Sequence, residues 1–177
     1  MRSLPVGAVV AAIVMFALGF VFFGLLGMML HAPLDPATAT ALQGAVAQQL
    51  SATGSYMVPA GEEAWMAGPS AMINFVAQGA APSMAMAMGM GFVHFLLTAL
   101  LIGYGLIAAG GDLARQARLV LWFGLAAAVF MRLGDPIWYG FAWRTSLIAF
   151  AFDAIMFIAG GLILAKWFTS ERATPSG

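Results

Sequence analysis

Along most of this chain hydrophobic positions do not alternate with polar ones; they form four plateaus. The first, Leu4 to Leu30, contains no charged residue. An α-helix rising about 1.5 Å per residue needs about 20 apolar residues to cross a hydrocarbon core of about 30 Å. The run therefore predicts a transmembrane helix over 5–30. A secretory signal is the rival reading, since Arg2 precedes the run and Ala37-Thr38-Ala39 resembles a cleavage site. Signal cores of about 7–15 residues are much shorter than this plateau, so a span is expected. The second plateau covers 84–109 and stops at Gly110-Gly111, with Asp112 placed to cap the next helix. The third covers 113–133 and ends at Gly134-Asp135-Pro136; the fourth covers 145–168. Residues 1–177 are thus expected to form one membrane domain, an all-α four-helix bundle.

The long connection, 31–83, has a different texture. Asp35-Pro36 suits an N-cap and first helical position, and Leu42, Val46 and Leu50 recur every four residues, predicting a helix over Ala37 to Leu50. Turn signals follow at Thr53-Gly54-Ser55, Pro59-Ala60-Gly61 and Gly68-Pro69. Ser70 to Gln78 is predicted as a second short helix, bedding Met72, Ile73, Phe75 and Val76 into the membrane interface. The segment is too weakly apolar for a core of its own, and is expected to cap the bundle or lie on a partner.

Cations set the orientation. Arg2, Arg115, Arg118, Lys166 and Arg172 fall on one side of the four spans, and Arg132 and Arg144 on the other. The positive-inside rule makes the first side cytoplasmic, so both termini are expected there and 31–83 outside. Trp122 and Trp167 mark one membrane boundary, Trp138 and Trp143 the other.

Composition then narrows the chemistry. Hydrophobic residues make up 63% of the chain and charged residues 8%, so lipid and not water is its natural solvent. Seven Lys/Arg balance seven Asp/Glu, leaving no basic surplus for nucleic acid. The absence of cysteine removes disulfides, thiolate metal sites and cysteine nucleophiles. With His31 and His94 the only histidines, and His31 at the surface, bis-histidine haem does not fit. No HExxH, GxSxG or Walker-type loop is present. No cofactor, metal or catalytic residue is expected, and an enzyme is disfavoured.

Two intramembrane polar residues remain as a candidate site. Asp153 lies roughly 12 Å into the fourth span and His94 about ten residues into the second, at similar depth. A carboxylate there costs about 2.5–3.5 kcal/mol on insertion scales unless paired, hydrated or protonated. The pair would either handle a proton or orient a ligand, or simply join two helices. Thr98 more readily bonds its own helix backbone than a ligand. Met84, Met86, Met88 and Met90, with Met28, Met29 and His31, offer soft ligands suited to Cu(I). Alternate residues fall on different helical faces, however, and methionine is a common packing residue. The aromatic turn Asp135 to Arg144 fits an interfacial anchor better than a quinone or head-group site, and Glu62-Glu63 fits a solvated turn. Small-residue pairs such as Gly7–Ala11 and Ala99–Gly103, with Gly160-Gly161, permit close helix approach.

A basic start before Gly19-Phe20-Val21-Phe22-Phe23-Gly24, a loop with Gly54-Ser55-Tyr56-Met57-Val58-Pro59 and Gly68-Pro69, and an aromatic turn before a last helix with an Asp and Ala159-Gly160-Gly161-Leu162 occur in that order. In this the chain resembles small, uncharacterised four-helix membrane proteins of proteobacteria. The resemblance implies a bacterial inner (plasma) membrane location and transfers neither an activity nor functional residues. The expected function is that of a non-enzymatic accessory or interaction protein, a subunit of a larger membrane complex or a homo-oligomer surrounded by lipid. The alternative is a small transporter or binder of a proton, metal ion or small apolar molecule working through Asp153 and His94.

Overall fold

The computed structural model describes residues 4–79 and 83–169. Arg2 and Arg172, counted above with the cations of one side, lie outside them. The chain divides into two compact units, 1–31 with 85–177, and 32–84.

The first unit is helical. Helix α1 (Leu4–Gly19) continues through a π-helical turn over Phe20–Leu25 and ends in a 3-10 turn at Gly27–Leu30. The apolar run reaches Leu30, but regular helix gives way well before it. Three long helices follow later in the chain: α4 (Met84–Ala109), α5 (Leu113–Arg132) and α7 (Trp143–Leu164), the last extended by a π-helical turn over Ala165–Thr169. The single-turn α6 (Asp135–Trp138) sits between α5 and α7. Leu4–Leu25, Met84–Ala109, Leu113–Trp138 and Trp143–Thr169 are long and apolar enough to cross a membrane, which makes this a multi-pass helical membrane protein in composition and form.

Local signals account for the helix boundaries. Helix α4 stops at Gly110 and Gly111, whose φ angles of 60° and 93° suit glycine and break the helical path. Asp112 then accepts the Arg115 backbone N–H at 2.8 Å and starts α5.

Helix α7 is the hub, with α1 packed on one side and α5 on the other. Small residues make this possible. Ala8, Ala11 and Ala12 of α1 and Ala99 of α4 are fully buried with Val120, Leu164 and Ala165 in the main apolar cluster. The start of α1 meets the end of α7 where Gly7 faces the Phe168 ring, and Phe16 meets Phe92 and Phe95 of α4 edge-on. At the other end, the π-helical turn after α1 stacks Phe22 on Phe152 of α7 at 4.6 Å between ring centroids. The bundle therefore has a basic end, with Arg115, Arg118 and Lys166, and an aromatic end formed by α6 and the residues flanking it.

The second unit holds α2 (Pro36–Gln49), α3 (Glu62–Ala67) and an antiparallel pair of strands, β1 (Gly54–Val58) and β2 (Ala71–Phe75). Asp35 caps α2 by accepting the Thr38 N–H at 3.0 Å. Hydrogen bonds from the Thr38 side chain and backbone hold the Asp35 carboxyl below its ordinary range. The helix expected over Ser70 to Gln78 is instead strand β2. Tyr56 pairs with Ile73 and Gly54 with Phe75, placing Tyr56, Ile73 and Phe75 on one half-buried face, while Ser55 donates to Asn74 at 2.7 Å on the other. β-Branched and aromatic residues favour this pleated surface once a partner strand is present. None of the described residues of 32–79 is fully buried, which fits a segment without a core of its own.

Candidate functional site

A polar group inside a membrane bundle must find a partner there or carry a large desolvation cost. Asp153 projects from the middle of α7, and its Oδ2 lies 2.5 Å from Nε of Arg132, the last residue of α5. Their side chains are 14% and 32% exposed. The pair joins α5 to α7 in the half of the bundle nearer the aromatic end. Arginine can do this from a helix terminus because its long apolar stem carries the guanidinium several ångströms along the neighbouring helix.

The structure does not bring His94 to Asp153. His94 lies on an exposed face of α4, where its ring packs against neighbouring Phe95 with centroids 5.2 Å apart. Depth along two helices was similar, but their faces differ. Thr98 donates to the His94 carbonyl at 3.0 Å, the backbone bond expected of it. Val93, Leu97, Leu101 and Tyr104 continue the exposed stripe on which His94 sits.

Two further polar clasps join the helix ends. At the basic end, Gln116 of α5 is wholly buried. Its Nε2 donates to the carbonyls of Leu106 and Thr169, both at 3.2 Å, and the Thr169 hydroxyl donates back to Oε1 at 2.6 Å. One side chain thereby ties together α4, α5 and the extension of α7. Sequence reasoning passed over Gln116; its signal is that it is the sole amide within the third plateau. At the aromatic end, the Thr145 hydroxyl donates to the Leu30 carbonyl at 2.9 Å, binding the start of α7 to the turn after α1. Among described buried side-chain polar atoms, only Ser146 Oγ has no partner.

The remaining candidates stay apart from this chemistry. Met84, Met86, Met88 and Met90 are all exposed, as are Met28 and Met29, so they do not pack the core; Met15 and Met156 do. No group of three or more His, Asp or Glu residues converges among the described residues. Trp138, Tyr139, Phe141 and Trp143 are exposed around the aromatic turn, and Glu62 and Glu63 open α3. A cleft of about 340 Å³ lies between α4 and α5 in the basic half, lined by apolar residues that include neither Asp153 nor His94.

Arg132, Asp153, Gln116, Thr145 and Thr169 are thus spent on joining helices, whereas His94 faces outward from α4. Comparison with protein-family models, curated proteins and solved structures finds no match for this chain.

Proposed function

We propose that this protein is a non-enzymatic accessory or interaction protein of a bacterial inner membrane, joined through α4 to a larger membrane complex or to a second copy of itself. The observation that carries this reading is His94. Ionisable residues in transmembrane helices ordinarily face a bundle interior or a water-filled cavity, because hydrocarbon leaves them unsolvated. Here the imidazole sits on an exposed, otherwise apolar stripe of α4, among Val93, Leu97 and Leu101. A neighbouring membrane helix offering a hydrogen-bonding group would satisfy it and bury the stripe. The coreless segment 32–79 adds a second surface suited to contact.

Recovery of the protein in mild detergent, with the proteins that accompany it identified by mass spectrometry, tests this directly. A stoichiometric partner or a homo-oligomer is expected. An interhelical hydrogen bond in a membrane contributes about 0.6–2 kcal/mol, so His94→Leu should weaken association about 3–30-fold. The same variant should leave the thermal stability of the isolated chain unchanged or raised, since leucine is better suited to lipid. Recovery of a lone chain from both forms would overturn the reading.

The proposed orientation places the basic end and both termini in the cytoplasm, as the cation distribution favours. The absence of native cysteine makes the test clean. Ser51→Cys should react with a membrane-impermeant maleimide on intact spheroplasts, and Ala114→Cys should react only after permeabilisation. The reverse pattern would invert the topology.

A further inference from the structure

The cleft between α4 and α5 has a shape and a charged end that together specify an occupant. Leu101, Gly105 and Ala109 line it from α4, Leu119 and Phe123 from α5, and Phe157 from α7. From Leu101 to Ala109 the helix rises about 12 Å, so the cleft is a slot along the helices and not a round pocket. It is also vacant where a helix normally carries bulk: a Cβ on Gly105 would meet no atom within 4 Å.

The slot ends at the turn that joins α4 to α5, just beyond Ala109. There the stem of Arg115 folds over Gly111, with its Cδ only 2.6 Å from where a Cβ would stand. Gly111 has a φ of 93°, and its bare backbone lets the stem lie flat across the turn. The nearby Asp112 carboxylate accepts the Arg115 backbone N–H, while the one ion pair among the described residues belongs to Arg132 and Asp153. Arg115 is therefore exposed and paired with no acid among the described residues, one helical turn before the lining residue Leu119 and over the glycine two residues past the lining residue Ala109. Arg118 adds a second exposed cation in the first turns of α5.

We infer that this cleft is a binding site for one anionic phospholipid, with an acyl chain along the slot and the phosphate head group against Arg115. An apolar groove alone would accept any lipid tail or a partner's side chains. The cation at its end is what selects an anionic amphiphile, because a guanidinium meets phosphate with several parallel N–H donors. The site shares Leu101 with the His94 stripe, but neither Arg115 nor the rest of its lining takes part in the association proposed for that stripe.

Native mass spectrometry of the detergent-solubilised protein, titrated with phosphatidylglycerol or phosphatidylcholine of identical acyl chains, tests the assignment. One phosphatidylglycerol per chain should be retained in preference to phosphatidylcholine. One basic residue near a membrane surface is worth about fivefold in affinity for anionic lipid. Arg115→Gln should therefore lower phosphatidylglycerol retention about fivefold and leave phosphatidylcholine retention unchanged. A Cβ at Gly105 meets open space, so Gly105→Leu should reduce retention of both lipids while the melting temperature holds. Equal retention of the two lipids by the unmodified protein would overturn the assignment, as would undiminished phosphatidylglycerol retention by Gly105→Leu. Loss of a protein partner from Gly105→Leu, with lipid retention unaltered, would give the cleft to that partner instead.

Discussion

Arg132→Leu is expected to destabilise the bundle more than Asp153→Leu, although the two residues form a single ion pair. The asymmetry comes from where each side chain is rooted. Asp153 has a short stem in the middle of α7; once Arg132 is gone, its carboxylate cannot reach the membrane boundary and remains in an apolar setting. A carboxylate at such depth costs about 2.5–3.5 kcal/mol on insertion scales. Arg132 is the last residue of α5 and already 32% exposed. Freed from Asp153, its guanidinium can swing toward the aromatic end and water, limiting the loss to about 1 kcal/mol, the scale of an incompletely buried pair. The double variant Arg132→Leu/Asp153→Leu should recover most of the loss of Arg132→Leu, because it removes the stranded charge along with its partner. Melting temperatures of the four proteins in one detergent read all three statements. If Arg132→Leu melts with the unmodified protein, or if the double variant loses the sum of the singles, the pair does not join α5 to α7 energetically.

That pair also shows how far sequence reasoning reaches in a chain of this kind. Span existence was legible because charge-free length is sufficient to identify it, and Gly110, Gly111 and Asp112 marked a helix boundary by their own backbone chemistry. Asp153 was legible as an anomaly for the same reason: a carboxylate within an apolar plateau stands out. Its partner was not. Depth along a helix follows from counting residues, and it suggested His94; the direction a side chain faces follows from periodicity, which near-uniform apolar helices do not display. Arg132, near the end of the third span, counts in the sequence only as a cation that sets orientation, while its reach back along α7 depends on how closely α5 and α7 pack. The same limit hid Gln116, whose acceptors lie on two other elements, and strand β2, whose pairing with β1 joins residues such as Ser55 and Asn74 across an intervening helix. Local composition can propose a strand or a clasp, but only tertiary neighbours complete it.

Close packing around α7 yields the second large effect, in which two adjacent glycines should behave differently. Consecutive helical residues point about 100° apart, and Gly160 and Gly161 accordingly serve different neighbours. A Cβ at position 160 would stand 2.5 Å from Met15 Sδ and 2.8 Å from its Cγ; one at position 161 would stand 2.6 Å and 2.9 Å from the two Val120 methyls. Methionine has an unbranched, adaptable side chain and can move its sulfur aside. Valine is fixed at χ1, so only a shift of α5 relative to α7 relieves the clash. Gly161→Ala should therefore cost about 1–3 kcal/mol as an overpacked contact. Gly160→Ala should be nearly neutral, its equally close contact relieved by movement of the Met15 side chain and the remainder offset by the gain of up to about 1 kcal/mol from alanine's helix propensity. Val120→Ala should rescue Gly161→Ala, although alone it destabilises by opening a small cavity, so the two changes should be strongly non-additive. Thermal unfolding in detergent across this set separates the alternatives. Equal melting temperatures for the two glycine variants would mean that α7 and α5 pack less tightly than their backbones indicate. A failed rescue would assign the cost at Gly161 to something other than Val120.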